Sequence, residues 1–130
     1  MITVLALTAS VTSAAADTSV RCTQTDVPVT YALLLTGTVH GQLCLPARTP
    51  ATVQLLMHGG TYNRNYWDLP YGDGRYSYQR DMAANGIATF AIDGLGSGES
   101  TQPLSELVLG TTEADALHQV VAKLRAGAVG

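Results

Sequence analysis

Two apolar runs, each cut short by glycine, constrain this chain more than anything else in it. Thr52, Val53, Leu55, Leu56 and Met57 stop at His58-Gly59-Gly60, and Ile87 to Ile92 stop at Asp93-Gly94. Neither run alternates apolar with polar residues, so both read as strands buried on two faces, as in a parallel sheet covered by helices. A short helix predicted over Tyr76 to Asn85, ended by Gly86, lies between them and makes a βαβ unit. In such sheets, binding sites form beyond the carboxyl ends of the strands. Both glycine loops lie there.

The rest of the chain is read around that unit. Val29 to Thr36 and Thr38 to Leu45 read as an antiparallel hairpin turning at Gly37, with His40 a surface or edge histidine. Thr112 to Arg125 is the clearest helix. Thr112 with Asp115 approximates a capping box, and Ala114, Leu117, Val121 and Leu124 fall on one face. The 130 residues carry a net charge of -3, which gives no electrostatic case for nucleic acid.

Residues 1–16, MITVLALTASVTSAAA, have the apolar core and small-x-small ending of a signal peptide, although no basic residue precedes Arg21. Export is therefore expected, with residues 17–130 as the mature domain. The apolar stretch is too short for an ordinary spanning helix, so stable membrane insertion is not expected. Cys22 and Cys44 are the two cysteines. In an oxidising compartment they can form one disulfide, tying the N-terminal arm to the second strand; otherwise they are two buried thiols. No further cysteine or histidine completes a metal ligand set around them.

The loop Asp93-Gly94-Leu95-Gly96-Ser97-Gly98-Glu99-Ser100 departs from nucleotide motifs. Glu99 stands where the dinucleotide fingerprint wants its third glycine, and no Gly-Lys-Ser/Thr occurs. Taken in order, however, the two glycine loops resemble the N-terminal half of the α/β-hydrolase family. His58-Gly59-Gly60 matches the His-Gly-x loop that follows a strand. Asp93, Gly96, Gly98 and Ser100 match Asp-x-x-Gly-x-Gly-x-Ser after the next strand, and Tyr66-Trp67 matches an aromatic pair after the first loop. The resemblance covers roughly residues 29–130 and points to secreted bacterial serine hydrolases of the esterase/lipase type.

The resemblance implies an incomplete α/β-hydrolase sheet in which an antiparallel hairpin leads into parallel βαβ units. It implies a small ester-like substrate for a full-length parent, and no cofactor. The backbone N–H of Gly60, with Thr61 as second choice, would help bind the oxyanion. His58, Gly59, Asp93, Gly96, Gly98 and Ser100 would shape the loops. The family's nucleophile lies in G-x-S-x-G, which this sequence lacks. His40, His58 and His118 all precede the point where it would come, so none matches the catalytic histidine. The chain thus reads as an N-terminal fragment, inactive by itself, with an open sheet edge that leaves it marginally stable or prone to aggregate. The alternatives are a non-catalytic binding protein of the same fold and, behind it, a nucleotide-binding α/β domain.

Overall fold

The computed structural model describes residues 20–130; the expected signal peptide over residues 1–16 lies outside them. The order is β1 (Arg21–Tyr31), β2 (Leu35–Leu45), β3 (Val53–Met57), α1 (Tyr78–Ala84), β4 (Ala88–Ile92) and α2 (Gly110–Arg125), with short 3₁₀ turns at Arg64–Trp67 and Ser105–Leu107. The four strands form one sheet in the order β1-β2-β4-β3. β2 runs antiparallel to β1 and β4, whereas β3 and β4 are parallel, with Met57 opposite Ile92.

Strand periodicity assigns each side chain to a layer. Val27, Val29, Tyr31, Val39, Leu43, Phe90 and Ile92 face α2, whose Ala116 and Val120 complete that core. The intervening residues face the other way. There Gln79 of α1 is fully buried and donates to the Gln42 carbonyl at 3.0 Å and to Thr89 Oγ1 at 3.1 Å. Helices on the two faces explain why every residue of β4 is buried.

Several expectations need correction. The hairpin turns at Ala32–Leu34, and Gly37 lies inside β2 opposite Val29. A Cβ on Gly37 would come within 3.0 Å of the Tyr31 ring and 3.1 Å of Thr101, so this glycine permits close approach and makes no turn. α2 begins at Gly110 behind Leu109, with no side-chain cap, and Thr112 is buried in its first turn. Its buried residues are Thr112, Ala116 and Val120; Leu117 and Leu124 of the expected face are partly buried against the same core, and Ala114 is exposed.

Cys22 and Cys44 are opposite each other in the β1–β2 register and are bonded, S–S 2.00 Å. The disulfide thus staples the hairpin itself and does not attach a separate arm. Closing a loop of 22 residues stabilises by about 3 kcal/mol in the chain-entropy view.

The two sheet edges differ. Along β1, Gln119 of α2 mimics a neighbouring strand, accepting from the Thr30 amide at 2.8 Å and donating to its carbonyl at 2.7 Å. Lys123 donates to the Pro28 carbonyl beside it. The outer edge of β3 pairs with no described strand, and an apolar groove of about 310 Å³ runs between Val53, Leu55, Val121 and Leu124.

Candidate functional site

Because Met57 and Ile92 are register partners, His58 and Asp93 leave the sheet side by side. Asp93 is fully buried, and its carboxylate is held by three donors. Oδ1 accepts from the Arg64 amide at 2.7 Å, while Oδ2 accepts from Arg64 Nη1 at 2.6 Å and from the Glu99 amide at 2.9 Å. Arg64, itself buried, also pairs through Nη2 with the Glu99 carboxylate. A buried carboxylate needs such compensation, because charge removed from water without a partner is expensive.

Arg64 thereby ties the loop after β3 to the loop after β4. The second loop is fastened to β2 in turn. Ser100 Oγ donates to the Asp93 carbonyl at 2.6 Å and accepts from the His40 amide at 2.8 Å. Thr101 exchanges hydrogen bonds with Thr38, its amide donating to the carbonyl at 2.9 Å and its Oγ1 accepting from the amide at 2.8 Å. Gly96 and Gly98 both have positive φ, +81° and +48°, which lets the loop close so tightly.

His40 belongs to this network and is not a bland edge residue. Its Nδ1 lies 2.6 Å from Asp26, and its Nε2 is 3.3 Å from Glu99, within ion-pair distance but without hydrogen-bond geometry. A line of polar contacts therefore runs from Asp26 on β1 to the buried Asp93 through His40, Glu99 and Arg64.

His58 closes the second seam. Its Nε2 accepts from the Gly94 amide at 3.1 Å, and a backbone N–H can only donate, so the ring proton sits on Nδ1 and is donated to the Gly59 carbonyl at 2.7 Å. Ser97 Oγ lies 2.9 Å from Nε2 and 2.8 Å from the Gly94 carbonyl. The Nε2 lone pair is thus engaged by the loop, which makes His58 a clasp between loops and not a free base.

Gly59, Gly60 and Thr61 form the exposed crest of the first loop. The Gly59 carbonyl accepts from the Tyr62 amide at 3.0 Å, closing a turn, and the Gly60 and Thr61 amides donate to no described residue. A Cβ on Gly60 would meet nothing within 4 Å. The crest therefore carries two N–H donors without a partner among the described residues, beside the carboxyl ends of the two parallel strands. Behind it, Tyr62, Tyr66, Trp67 and Tyr78 pack in series, with ring centroids 5.1–5.5 Å apart.

The β4 loop is unlike a phosphate cradle. Its amides at Gly94, Gly96, Ser97, Glu99 and Ser100 all donate within the protein, and it carries two carboxylates, Asp93 and Glu99. Among the described residues, no group of three or more histidine, cysteine or acidic side chains could hold a metal ion. His118 is exposed on α2, away from these loops.

Glu113 sits behind Gly94, near His58. Desolvation by burial raises its carboxyl above the ordinary range, against the lowering effects of the Leu95 backbone hydrogen bond and of His58. One oxygen, Oε1, is buried without a partner. The folded state therefore holds its proton to higher pH than the unfolded chain does. Stability contributed by the neutral form is present below the unfolded value and is lost as pH rises through the raised one. Glu113→Gln is accordingly expected to raise the melting temperature at pH 7 and to leave it unchanged below about pH 4. Thermal melts of both proteins across that range check this; an equal shift at both ends would refute it.

No family model matches the sequence, and no curated protein does. Solved structures do match in fold. A mutant of the Vigna radiata epoxide hydrolase superposes with a TM-score of 0.54 at 17% identity, covering 78% of this chain and 27% of its own. The α/β-hydrolase GrgF from a Penicillium species superposes with a TM-score of 0.52 at 16% identity, covering 79% and 32%. The chain thus spans about a quarter to a third of the length of these neighbours. At such identity the likeness concerns fold alone. Mixed four-stranded sheet, flanking helices and paired glycine loops together are an α/β-hydrolase fold, in part.

Proposed function

We propose that these residues form the oxyanion-binding half of a secreted serine hydrolase acting on ester or related acyl bonds. The observation that carries the reading is the pair of unengaged amides at Gly60 and Thr61, held beside the strand ends by the Arg64–Asp93 lock. Two N–H groups that reach one oxygen can stabilise the negative charge of a tetrahedral intermediate, and a fixed loop spares the reorganisation that water would need. Gly60 is the first donor and Thr61 the second. His58, Gly59, Asp93, Gly96, Gly98 and Ser100 keep the loop in shape and take no part in proton transfer.

The nucleophile, acid and general base of such an enzyme are supplied by sequence outside these 130 residues. By itself the chain neither hydrolyses esters nor reacts with a fluorophosphonate. A longer protein that carries these residues, followed by a G-x-S-x-G elbow, does both. In that protein Gly60→Pro removes one donor, and its Cβ meets nothing within 4 Å. The turnover number should fall roughly 10²–10³-fold with little change in KM. Fluorophosphonate labelling of the 130-residue chain, or an unchanged turnover number in the Gly60→Pro enzyme, would defeat the proposal.

A further inference from the structure

Among the described residues, the tip of the β1–β2 hairpin is the most exposed apolar part. Leu33 and Leu34 are 96% and 88% exposed, and Leu35 is 45% exposed. Ala32 and Leu33 have φ of +45° and +74°, a conformation that suits glycine or asparagine and strains leucine. This turn therefore carries leucines against both backbone preference and hydration. An apolar environment around the tip removes the second penalty.

Position, charge and area say which environment. The tip projects from the end of the sheet where the two glycine loops lie, because β2 runs antiparallel to β4. The loop after β4 is last hydrogen-bonded to the hairpin at Thr38. Leu34 is four residues further on, about 13 Å beyond that contact at the rise of a strand. No charged residue occurs from Val27 to Val39, and the neighbouring side chains from α2 are Asp115, His118 and Gln119, which offer no lysine or arginine to an anionic surface. Three leucines present on the order of 300 Å² of apolar surface. A stable protein interface needs roughly 1,000 Å² or more, so this convex tip is too small to hold a second copy.

We propose that the Leu33–Leu35 tip inserts reversibly into an electrically neutral lipid surface such as a zwitterionic bilayer. Seating it there turns the Gly60 end of the sheet toward the lipid. This is interfacial attachment and not membrane spanning; no described helix is long and apolar enough to cross a bilayer. The inference goes beyond the hydrolase reading, and its test turns over no ester, so each can fail without the other.

The test is hydrogen exchange of the full chain with and without phosphatidylcholine vesicles, combined with vesicle co-sedimentation. Exchange at residues 31–36 should slow on vesicles, and binding should survive about 0.5 M salt, where surface charge is screened. Leu33→Asn with Leu34→Ser keeps a turn-compatible backbone and should abolish that local protection and weaken binding roughly tenfold or more. Because protection is read at the tip, attachment through any other segment is not mistaken for it. Unchanged exchange at residues 31–36 on bound vesicles overturns the proposal. So does tip protection that grows with protein concentration in the absence of lipid, which would mean self-association.

Discussion

Arg64→Ala is expected to destabilise the fold by roughly 3–5 kcal/mol, the range for removing one partner of a buried ion pair. The substitution leaves Asp93, which is fully buried, with only the backbone donors of Arg64 and Glu99. It also removes the cation paired with the Glu99 carboxylate. For a domain of this size the loss corresponds to a drop in melting temperature of about 15 °C or more. Total stability is commonly about 5–15 kcal/mol, so this one substitution removes a large share of it. Urea titration of the single variants and of Arg64→Ala with Asp93→Ala provides the check. The double variant should be less destabilised than the sum of the singles, because removing Asp93 removes the stranded charge. Strict additivity, or a loss under 1 kcal/mol for Arg64→Ala, would show that the pair does not hold the loops.

The lock also marks where the amino-acid sequence was legible and where it was not. The two strands and their glycine stops were readable because an unbroken apolar run is a local pattern, and its burial on both faces follows directly. The apolar runs give an α/β fold with a βαβ unit, and the resemblance of the two loop motifs implies an incomplete α/β-hydrolase sheet with a leading hairpin. Both agree with the observed β1-β2-β4-β3 sheet. Arg64 was not readable, because a lone arginine in the polar loop between Thr61 and Trp67 looks like any solvated side chain. The available signal was stoichiometric: an aspartate directly after a buried strand requires a counter-charge, and Arg64 is the only cation between Gly60 and Leu69. His40 escaped for the same reason. Its partner Asp26 lies 14 positions away and becomes a neighbour only through the hairpin register.

The hairpin turn and the cap of α2 failed in a different way, although the helix itself is present over Gly110–Arg125. Gly37 and the pair Thr112 with Asp115 both satisfied local rules, but tertiary contacts set the outcome. Gly37 is demanded by the Tyr31 ring and Thr101, and Thr112 is drawn into the first turn of a helix whose face is chosen by β1. The actual turn at Ala32–Leu34 contains no glycine, so turn chemistry could not reveal it.

Gly98→Ala is expected to have an effect as large as that of Arg64→Ala, by a different route. A Cβ built on Gly98 would fall 2.1 Å from Asp93 Oδ2, 2.3 Å from Cγ and 2.7 Å from Oδ1. Those atoms belong to a side chain gripped by three donors, so the carboxylate cannot swing aside without losing Arg64 or the Glu99 amide. The φ of +48° adds left-handed strain for any residue with a Cβ. Overpacking by itself typically costs about 1–3 kcal/mol, and displacement of the ion pair brings the total to roughly 3–5 kcal/mol. Gly60→Ala is the matched control: its Cβ would meet nothing within 4 Å, and its melting temperature should move by no more than about 2 °C. In the combination of Gly98→Ala with Asp93→Ala the clash and the stranded charge disappear together. That double variant should be no less stable than Asp93→Ala by more than the backbone strain, about 1 kcal/mol. If Gly98→Ala melts with the parent, the loop has another way to close and the Asp-x-x-Gly-x-Gly-x-Ser spacing is not set by contact with Asp93. If it fails as expected, the spacing has a steric cause: the last glycine is where the returning chain crosses the buried carboxylate.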